Sequence, residues 1–374
     1  MIRIAFLIRS LSRGGAERQL VTLVKALDKD RFGVTVITFY SGGHFEKELT
    51  DSNIHLVSLR KSGRWDLIRF LWHLVGELKK LRPAILHSYL VEPNLVAVLL
   101  KPLFRSMKVV WGIRASNMEL ENYDWFARLN FRLQRFTSRF ADLIIANSEA
   151  GRDHHVARGF PAHKCIVIPG GVDLDRFKSD REAGNRIRAA WGIPDGTSLI
   201  GLVARPDPIK DHSTFIKAAA LLSDMRPDVR FVCIGTGPEE RATSLRGLDT
   251  LEIANRIIWA GARDDMPAVY NALDIVCSSS SGEGFPNAIA EAMACGVLPV
   301  VTDVGDSALL VSDAGIVVPA RDPQALAEGL QRGLTQVDSL RTPDTRARIA
   351  ENFSLAQLVS RVEAALIAVD QTKN

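Results

Sequence analysis

The chain has 374 residues, 47% hydrophobic and 24% charged; that is too long for one comfortable core and suits two domains of ordinary size. No apolar run nears the roughly 18 residues that span a bilayer, and four scattered cysteines and eight histidines without metal-ligand spacing argue against disulfides and a structural metal. The net charge of +4 is uneven, +11 over residues 1–168 (26 basic, 15 acidic) and −7 over the rest (21 basic, 28 acidic), so a phosphate-bearing or membrane-surface partner is expected for the first half and nothing points to nucleic acid.

The first element is the apolar run IRIAFLI, too short and wrongly flanked for a signal peptide, so the protein is expected in the cytoplasm. It runs into SRGGAERQLVTLVKAL. Gly14 and Gly15 stand where a buried strand hands over to a helix; glycine there allows positive φ and close approach of backbone N–H groups to an anion, although a tight turn needs no ligand. Further strands are expected at GVTVITF, AILHSY, KVVWGI, DLIIAN and CIVIP. Between them, WDLIRFLWHLVGELKKL reads as a core helix. In WFARLNFRLQRFTSRF, Phe126, Leu129, Leu133, Phe136 and Phe140 form one helical stripe and Arg128, Arg132, Arg135 and Arg139 its neighbour. The apolar stripe is expected to pack on the domain's own sheet, with an anionic membrane interface as the alternative.

After PGGVDLDRF and the polar KSDREAGNR the pattern restarts, with strands at SLIGLVA, RFVCIG, RIIWAG, DIVCSS, VLPVVT and AGIVVP. The economical reading is an α/β protein of two doubly wound domains joined near residues 170–185, with ligands in the cleft at the carboxyl ends of the strands. DLD, Asp173 to Asp175, mimics a metal-binding Asp-x-Asp but reads as turn and hinge chemistry.

The sharpest signal is DIVCSSSSGEGFPNAIAEAMACGVLPVV. A buried strand ends in a Ser/Gly-rich loop carrying Glu283; a helix begins around Pro286 and closes at Gly296. The N–H groups of Gly284, Phe285 and Asn287 can face a phosphate or sugar hydroxyl, since Pro286 donates none. Glu283 and Glu291, in one pocket, could accept hydrogen bonds from two polyols. Their spacing alone is weak; the strand–loop–helix context carries it. Arg205 and Lys210 follow SLIGLVA in a Pro-containing loop, from which two fixed cations can project into the same cleft as Glu283 and stabilise developing negative charge without necessarily needing a metal. CIGTGPEE, Cys233 to Glu240, is a second glycine turn after a strand, without a G-x-G-x-x-G fingerprint, and reads as a plain turn or as a ligand contact.

These motifs resemble the retaining glycosyltransferases of family 4, GT-B fold, of the polysaccharide and lipopolysaccharide type. EGFPNAIAE has the family's Glu-x7-Glu pattern, and Arg205 and Lys210 fall at the spacing of its diphosphate-binding pair. GGAERQ, ADLIIANSEAGRDH, VIPGGVDLDRF, VVTDVGD and GIVVPARDPQALAEGL extend the likeness over most of the chain.

The resemblance implies two Rossmann-like domains facing each other across a cleft: an acceptor-side domain over 1–170, joined by the C-terminal helix 355–374, and a donor-binding domain over 171–354. It implies transfer of a hexose from a nucleoside-diphosphate sugar to a saccharide or lipid-linked acceptor with retained configuration, without metal or cofactor, on the inner membrane face if peripheral. Arg205 and Lys210 would stabilise the leaving group, Glu283 hold the sugar and Glu291 the ribose, with Gly14, Gly15, Gly284, Phe285, Pro286 and Asn287 lining the donor. His87, in AILHSYL, would be catalytic; Tyr89 stands where members carry a second His, and Gly170 where they carry Asn. A sugar-nucleotide epimerase, a phosphorolytic enzyme and a non-catalytic nucleotide-sugar-binding module remain alternatives, whereas neither glycine turn has the spacing a nicotinamide oxidoreductase needs.

Overall fold

The computed structural model describes residues 1–63, 66–114, 125–237, 253, 256–339 and 344–372, and of residues 125–128 the backbone. The chain divides into two compact units, one of Met1–Gly171 with Leu355–Asn374, the other of Val172–Ser354. The charge asymmetry follows this division, because residues 355–374 carry two basic and two acidic side chains.

The first unit is built on a parallel sheet of β1 (Ile2–Ile8), β2 (Phe32–Thr38), β3 (His55–Ser58), β4 (Ile85–Tyr89), β5 (Lys108–Ile113), β6 (Leu143–Ala146) and β7 (Cys165–Val167), in the order β3-β2-β1-β4-β5-β6-β7. Strand alternation sends Ile4, Phe6 and Ile8 to one core and Ala5 and Leu7 to the other, so both faces need helices. One face takes the helix Gly15–Ala26 and the C-terminal helix Leu355–Gln371. That last helix buries Leu358, Val362, Leu366 and Val369, worth roughly 1.5–3 kcal/mol each. Its Glu363 accepts the Asp28 N–H at 2.9 Å and pairs with Arg31 at 3.3 Å. β3 is absent from the sequence reading: a four-residue, partly exposed edge strand with His55 and Ser58 at its ends has too little apolar pattern to announce itself.

The opposite face takes the helices Leu67–Leu81, Val91–Leu100 and Trp125–Thr137. The first buries Phe70, Leu74 and Leu78 as expected but leaves Leu67, Ile68 and Trp72 exposed. The third corrects the sequence reading: Phe131, Gln134 and Ser138 are buried, whereas Leu129, Leu133, Phe136 and Phe140 are exposed. Phe131 is held by His155 and Phe160, with ring centroids at 5.7 and 6.1 Å, and Gln134 reaches the Val91 carbonyl at 3.5 Å. The side chains of Phe126 and Arg128 lie outside the described residues. Among the described residues no helix is long and apolar enough to cross a membrane.

The second unit is a parallel sheet of β8 (Ser198–Val203), β9 (Val229–Ile234), β10 (Ile257–Gly261), β11 (Ile275–Ser278), β12 (Leu298–Thr302) and β13 (Ile316–Val318), in the order β10-β9-β8-β11-β12-β13. Each sheet reverses its strand order once, between β1 and β4 in the first unit and between β8 and β11 in the second. At such a switch point the loops beyond the carboxyl ends of the strands diverge and leave a crevice.

Candidate functional site

Arg205, Lys210 and Glu283 all lie in the loops that leave the β8/β11 switch point. After β8, Asp207 accepts the Ile209 N–H at 3.1 Å and starts one 3-10 turn, Pro208–Lys210. Asp211 then takes a left-handed conformation (φ +45°), and its carboxylate caps the helix His212–Met225 through the Thr214 N–H at 3.1 Å and hydroxyl at 2.6 Å. This chain reversal aims Lys210 at the loop after β11, where its Nζ meets Glu283 Oε1 at 2.6 Å. Ser280 donates to the same oxygen at 2.7 Å. Two donors on Oε1 leave Oε2 as the carboxylate atom with capacity for a ligand hydroxyl. Arg205 is exposed, with no hydrogen-bond or ion-pair partner among the described residues.

The serine run is what stitches the two loops together, a role the sequence reading missed. Ser279 donates its hydroxyl to the carbonyls of Lys210 and Asp211 (both 3.0 Å), and the Ser281 N–H bonds the Ile209 carbonyl at 2.8 Å. Behind them the Thr302 hydroxyl reaches the Ser280 carbonyl at 2.7 Å. A run of four serines, Ser278 closing the buried strand and Ser279 to Ser281 following it, was the available signal, because hydrogen bonding is what makes the buried Ser278, Ser279 and Ser280 suitable for burial. Gly305 was missed as well. It has φ +56°, its added Cβ would overlap the Glu283 carbonyl, and the next N–H, of Asp306, bonds the Gly284 carbonyl at 3.1 Å.

The helix Asn287–Ala294 starts from Pro286 as its cap and ends before Gly296 at φ +89°. Phe285 is buried against Phe353 at 5.4 Å, so its side chain belongs to the core, and the Asn287 N–H is taken by the Phe285 carbonyl at 3.0 Å. The second finding corrects the expectation that the Asn287 N–H is free for a ligand; the N–H groups of Gly284 and Phe285 have no hydrogen-bond acceptor among the described residues. Glu291 is buried in the same helix and accepts a hydrogen bond from Tyr270 Oη at 2.9 Å. His212 Nε2 meets the Thr236 hydroxyl at 2.9 Å; burial pushes the imidazole pKa down and keeps the ring neutral. Of CIGTGPEE, Gly235 turns at φ +94°, packed on the Ala204 carbonyl, while Pro238 to Glu240 lie outside the described residues.

Gly14, Gly15 and His87 belong to the first unit. Neither glycine uses positive φ: Gly14 is an extended cap (φ −163°) that gives room to the Glu17 carboxylate, which folds back over it. His87 lies within β4, fully buried, both ring nitrogens without a hydrogen-bond partner among the described residues, and burial with Arg114 nearby lowers its pKa well below the usual imidazole range. Asp173 accepts the N–H groups of Asp175 (3.0 Å) and Arg176 (3.1 Å), which is turn chemistry.

Two doubly wound units, one with a cation–carboxylate pair at its switch point, define a protein of the GT-B fold. Residues 13–176 match the model described as "Glycosyltransferase Family 4" and residues 197–336 that described as "Glycosyl transferases group 1"; the chain belongs to the family 4 glycosyltransferases. It is 32% identical to a D-inositol 3-phosphate glycosyltransferase of Corynebacterium urealyticum, over 53% of this chain and 50% of that one. It is 25% identical to the UDP-Gal:alpha-D-GlcNAc-diphosphoundecaprenol alpha-1,3-galactosyltransferase of Escherichia coli, over 54% and 53%. The chain thus spans about half the length of these curated relatives. Anabaena HepE, solved with UDP-glucose, shares the fold at TM-score 0.86 and 23% identity, covering 98% of this chain and 100% of that one.

Proposed function

We propose that the protein is a retaining, metal-independent hexosyltransferase that moves a sugar from a nucleoside-diphosphate donor to a hydroxyl of a saccharide or lipid-linked saccharide. The observation that carries this is the Lys210–Glu283–Ser280 cluster at the β8/β11 switch point, with Arg205 unpaired beside it in sequence. Two cations suit a diphosphate, and a carboxylate with one spare oxygen suits a sugar hydroxyl. In the step itself the donor's C1–O bond to the diphosphate breaks, the acceptor oxygen bonds C1 on the same face, and the acceptor proton passes to the leaving phosphate oxygen. Arg205 and Lys210 stabilise the charge that develops there, Glu283 orients the sugar, and Glu291 holds the ribose. The donor-bound HepE structures support UDP as the nucleotide to try first.

Calorimetry with UDP, GDP and ADP in EDTA tests this reading. One nucleoside diphosphate should bind the wild type, and Arg205→Ala with Lys210→Ala should weaken it at least about a hundredfold, since each charge-assisted phosphate contact is worth roughly 1.5–3 kcal/mol. No binding to the folded wild type would sink the donor site.

An acceptor carried on an anionic membrane is supported by the first unit's surface. Leu129, Leu133, Phe136 and Phe140 stand exposed beside Arg132, Arg135 and Arg139, and no acidic residue lies between Trp125 and Ala141. Arg139 stacks on Phe136 at 4.4 Å, and Lys101 ties this end to the neighbouring helix through the Phe140 carbonyl at 2.9 Å, near exposed Leu99 and Leu103. Apolar surface with cationic flanks suits the interface of anionic lipid. The protein should float with anionic vesicles at low salt and remain behind with neutral ones; absence of binding to anionic vesicles removes the membrane from the proposal.

A further inference from the structure

Both cations of the site stand on loop 205–211, and the two ends of that loop meet on one side chain. Thr236, in the turn after β9, donates its hydroxyl at 3.3 Å to the carbonyl of Ala204, the residue that leads into Arg205. The same oxygen lies 2.9 Å from Nε2 of His212, the first residue of the helix that follows Lys210 and Asp211. A threonine hydroxyl has one proton and a carbonyl only accepts, so the imidazole is the Nε2–H tautomer and donates to Thr236. One oxygen thus closes the neck of the loop.

The anchor is itself fixed. Thr236 is fully buried and its carbonyl accepts the Gly261 N–H at 3.1 Å, while the N–H of Gly235 before it bonds the Gly261 carbonyl at 2.7 Å. Gly235 stands at φ +94° against the chain it braces: a Cβ there would lie 2.6 Å from the Ala204 carbonyl oxygen and 3.4 Å from the Arg205 nitrogen. At the far end of the loop the Ser279 hydroxyl holds the carbonyls of Lys210 and Asp211. Stability alone does not call for this pair, because apolar side chains of similar shape can fill such a space at little cost.

What the closed neck adds is spacing. Arg205 and Lys210 are five positions apart on a loop with one 3-10 turn, and a loop open at its neck would sample many separations of the two side chains. A diphosphate bridges two cations only over a narrow range of separations, whereas a monophosphate needs one cation. Preorganising the pair therefore favours the longer anion. We propose that Thr236 and His212 are positioning residues that fix the spacing of Arg205 and Lys210 and so give the site its preference for a nucleoside diphosphate over the monophosphate. The ligand half of this inference rests on the donor reading of the same loop; the closing of the loop does not.

Two measurements on the full chain test it. Calorimetry compares UDP with UMP, GDP with GMP and ADP with AMP, and hydrogen exchange follows the amides of Ile209, Lys210 and Asp211, whose N–H groups bond within the loop. In Thr236→Val and His212→Phe the preference for diphosphate should fall about tenfold, with monophosphate affinity held within about twofold, and the three amides should exchange about tenfold faster. Thr236→Ser and His212→Gln, which keep the hydroxyl and a donor at the reach of Nε2, should stay within about threefold of the wild type in both readouts. A role in stability alone would lower the melting temperature and leave the nucleotide ratio where it was. An unchanged ratio in a folded Thr236→Val protein that binds a diphosphate, or unchanged exchange of the three amides, overturns the proposal. Should Thr236→Val fail to fold, His212→Asn, whose amide stops short of Thr236, is read by the same two criteria. If the wild type binds none of the three diphosphates while loop exchange still responds, the donor site falls and the closing of the loop stands.

Discussion

Lys210→Ala should lower transfer by about 10²–10³-fold, the cost of removing one preorganised charge from a developing oxyanion. The loss should exceed that of Arg205→Ala, for a reason internal to the site. Arg205 is exposed and unpaired among the described residues, so in the proposed role its removal would delete a single contact to the leaving group and disturb no neighbour. Lys210 also holds Glu283 Oε1 at 2.6 Å, with the carboxylate's side chain only 11% exposed. Without the lysine, Glu283 keeps only the Ser280 hydroxyl and becomes a nearly buried carboxylate without its counter-ion. A kinetic split follows. Arg205→Ala should raise KM for the donor and lower kcat, whereas Lys210→Ala with Glu283→Gln should be no worse than Lys210→Ala alone, because the two side chains act as a unit. Full additivity of the two losses would show that the pair does not work together.

Gly305→Ala should abolish most turnover although the glycine carries no chemistry. A residue with a Cβ at φ +56° costs about 1–2 kcal/mol in backbone strain alone. The larger effect is steric, since the new Cβ would overlap the Glu283 carbonyl and lie 3.0 Å from that of Gly284. Backbone cannot yield there without moving Glu283, and a displacement of about 1 Å in a positioning group costs about a hundredfold in rate. The variant should melt a few degrees lower, with its kcat falling far more than the lost stability explains. Wild-type kcat in a folded Gly305→Ala protein would refute this coupling. Gly42, also at positive φ but with nothing within 4 Å of an added Cβ, is the control: Gly42→Ala should cost only strain.

The outcome differs between elements for identifiable reasons. The strands of both sheets, β3 excepted, are visible in the sequence because a parallel sheet covered on both faces demands continuous apolar runs. The Glu283 loop and the two cations are visible because a charged residue directly after such a run has few structural uses. The stripe on Trp125–Thr137 misleads because helical period reports that a helix has an apolar face without reporting which face meets the sheet. The face chosen carries Gln134 and Ser138, whose side chains satisfy themselves on the carbonyls of Val91 and Arg135, so their polarity is no obstacle to burial.

Patterning along the chain is therefore sufficient for two doubly wound α/β units, their approximate strands and the loops that carry Arg205, Lys210 and Glu283, since each of these follows from contacts with near neighbours in sequence. Packing between distant segments settles the rest. Ser279 to Ser281 reach back some 70 positions to brace the β8 loop, and Gly305 presses on Glu283 from beyond the next strand. His87 and Tyr89 become partners of Arg114 only when β4 and β5 align. Such contacts leave no local period, because the entropy of closing long loops is offset by the whole core rather than by any segment of it.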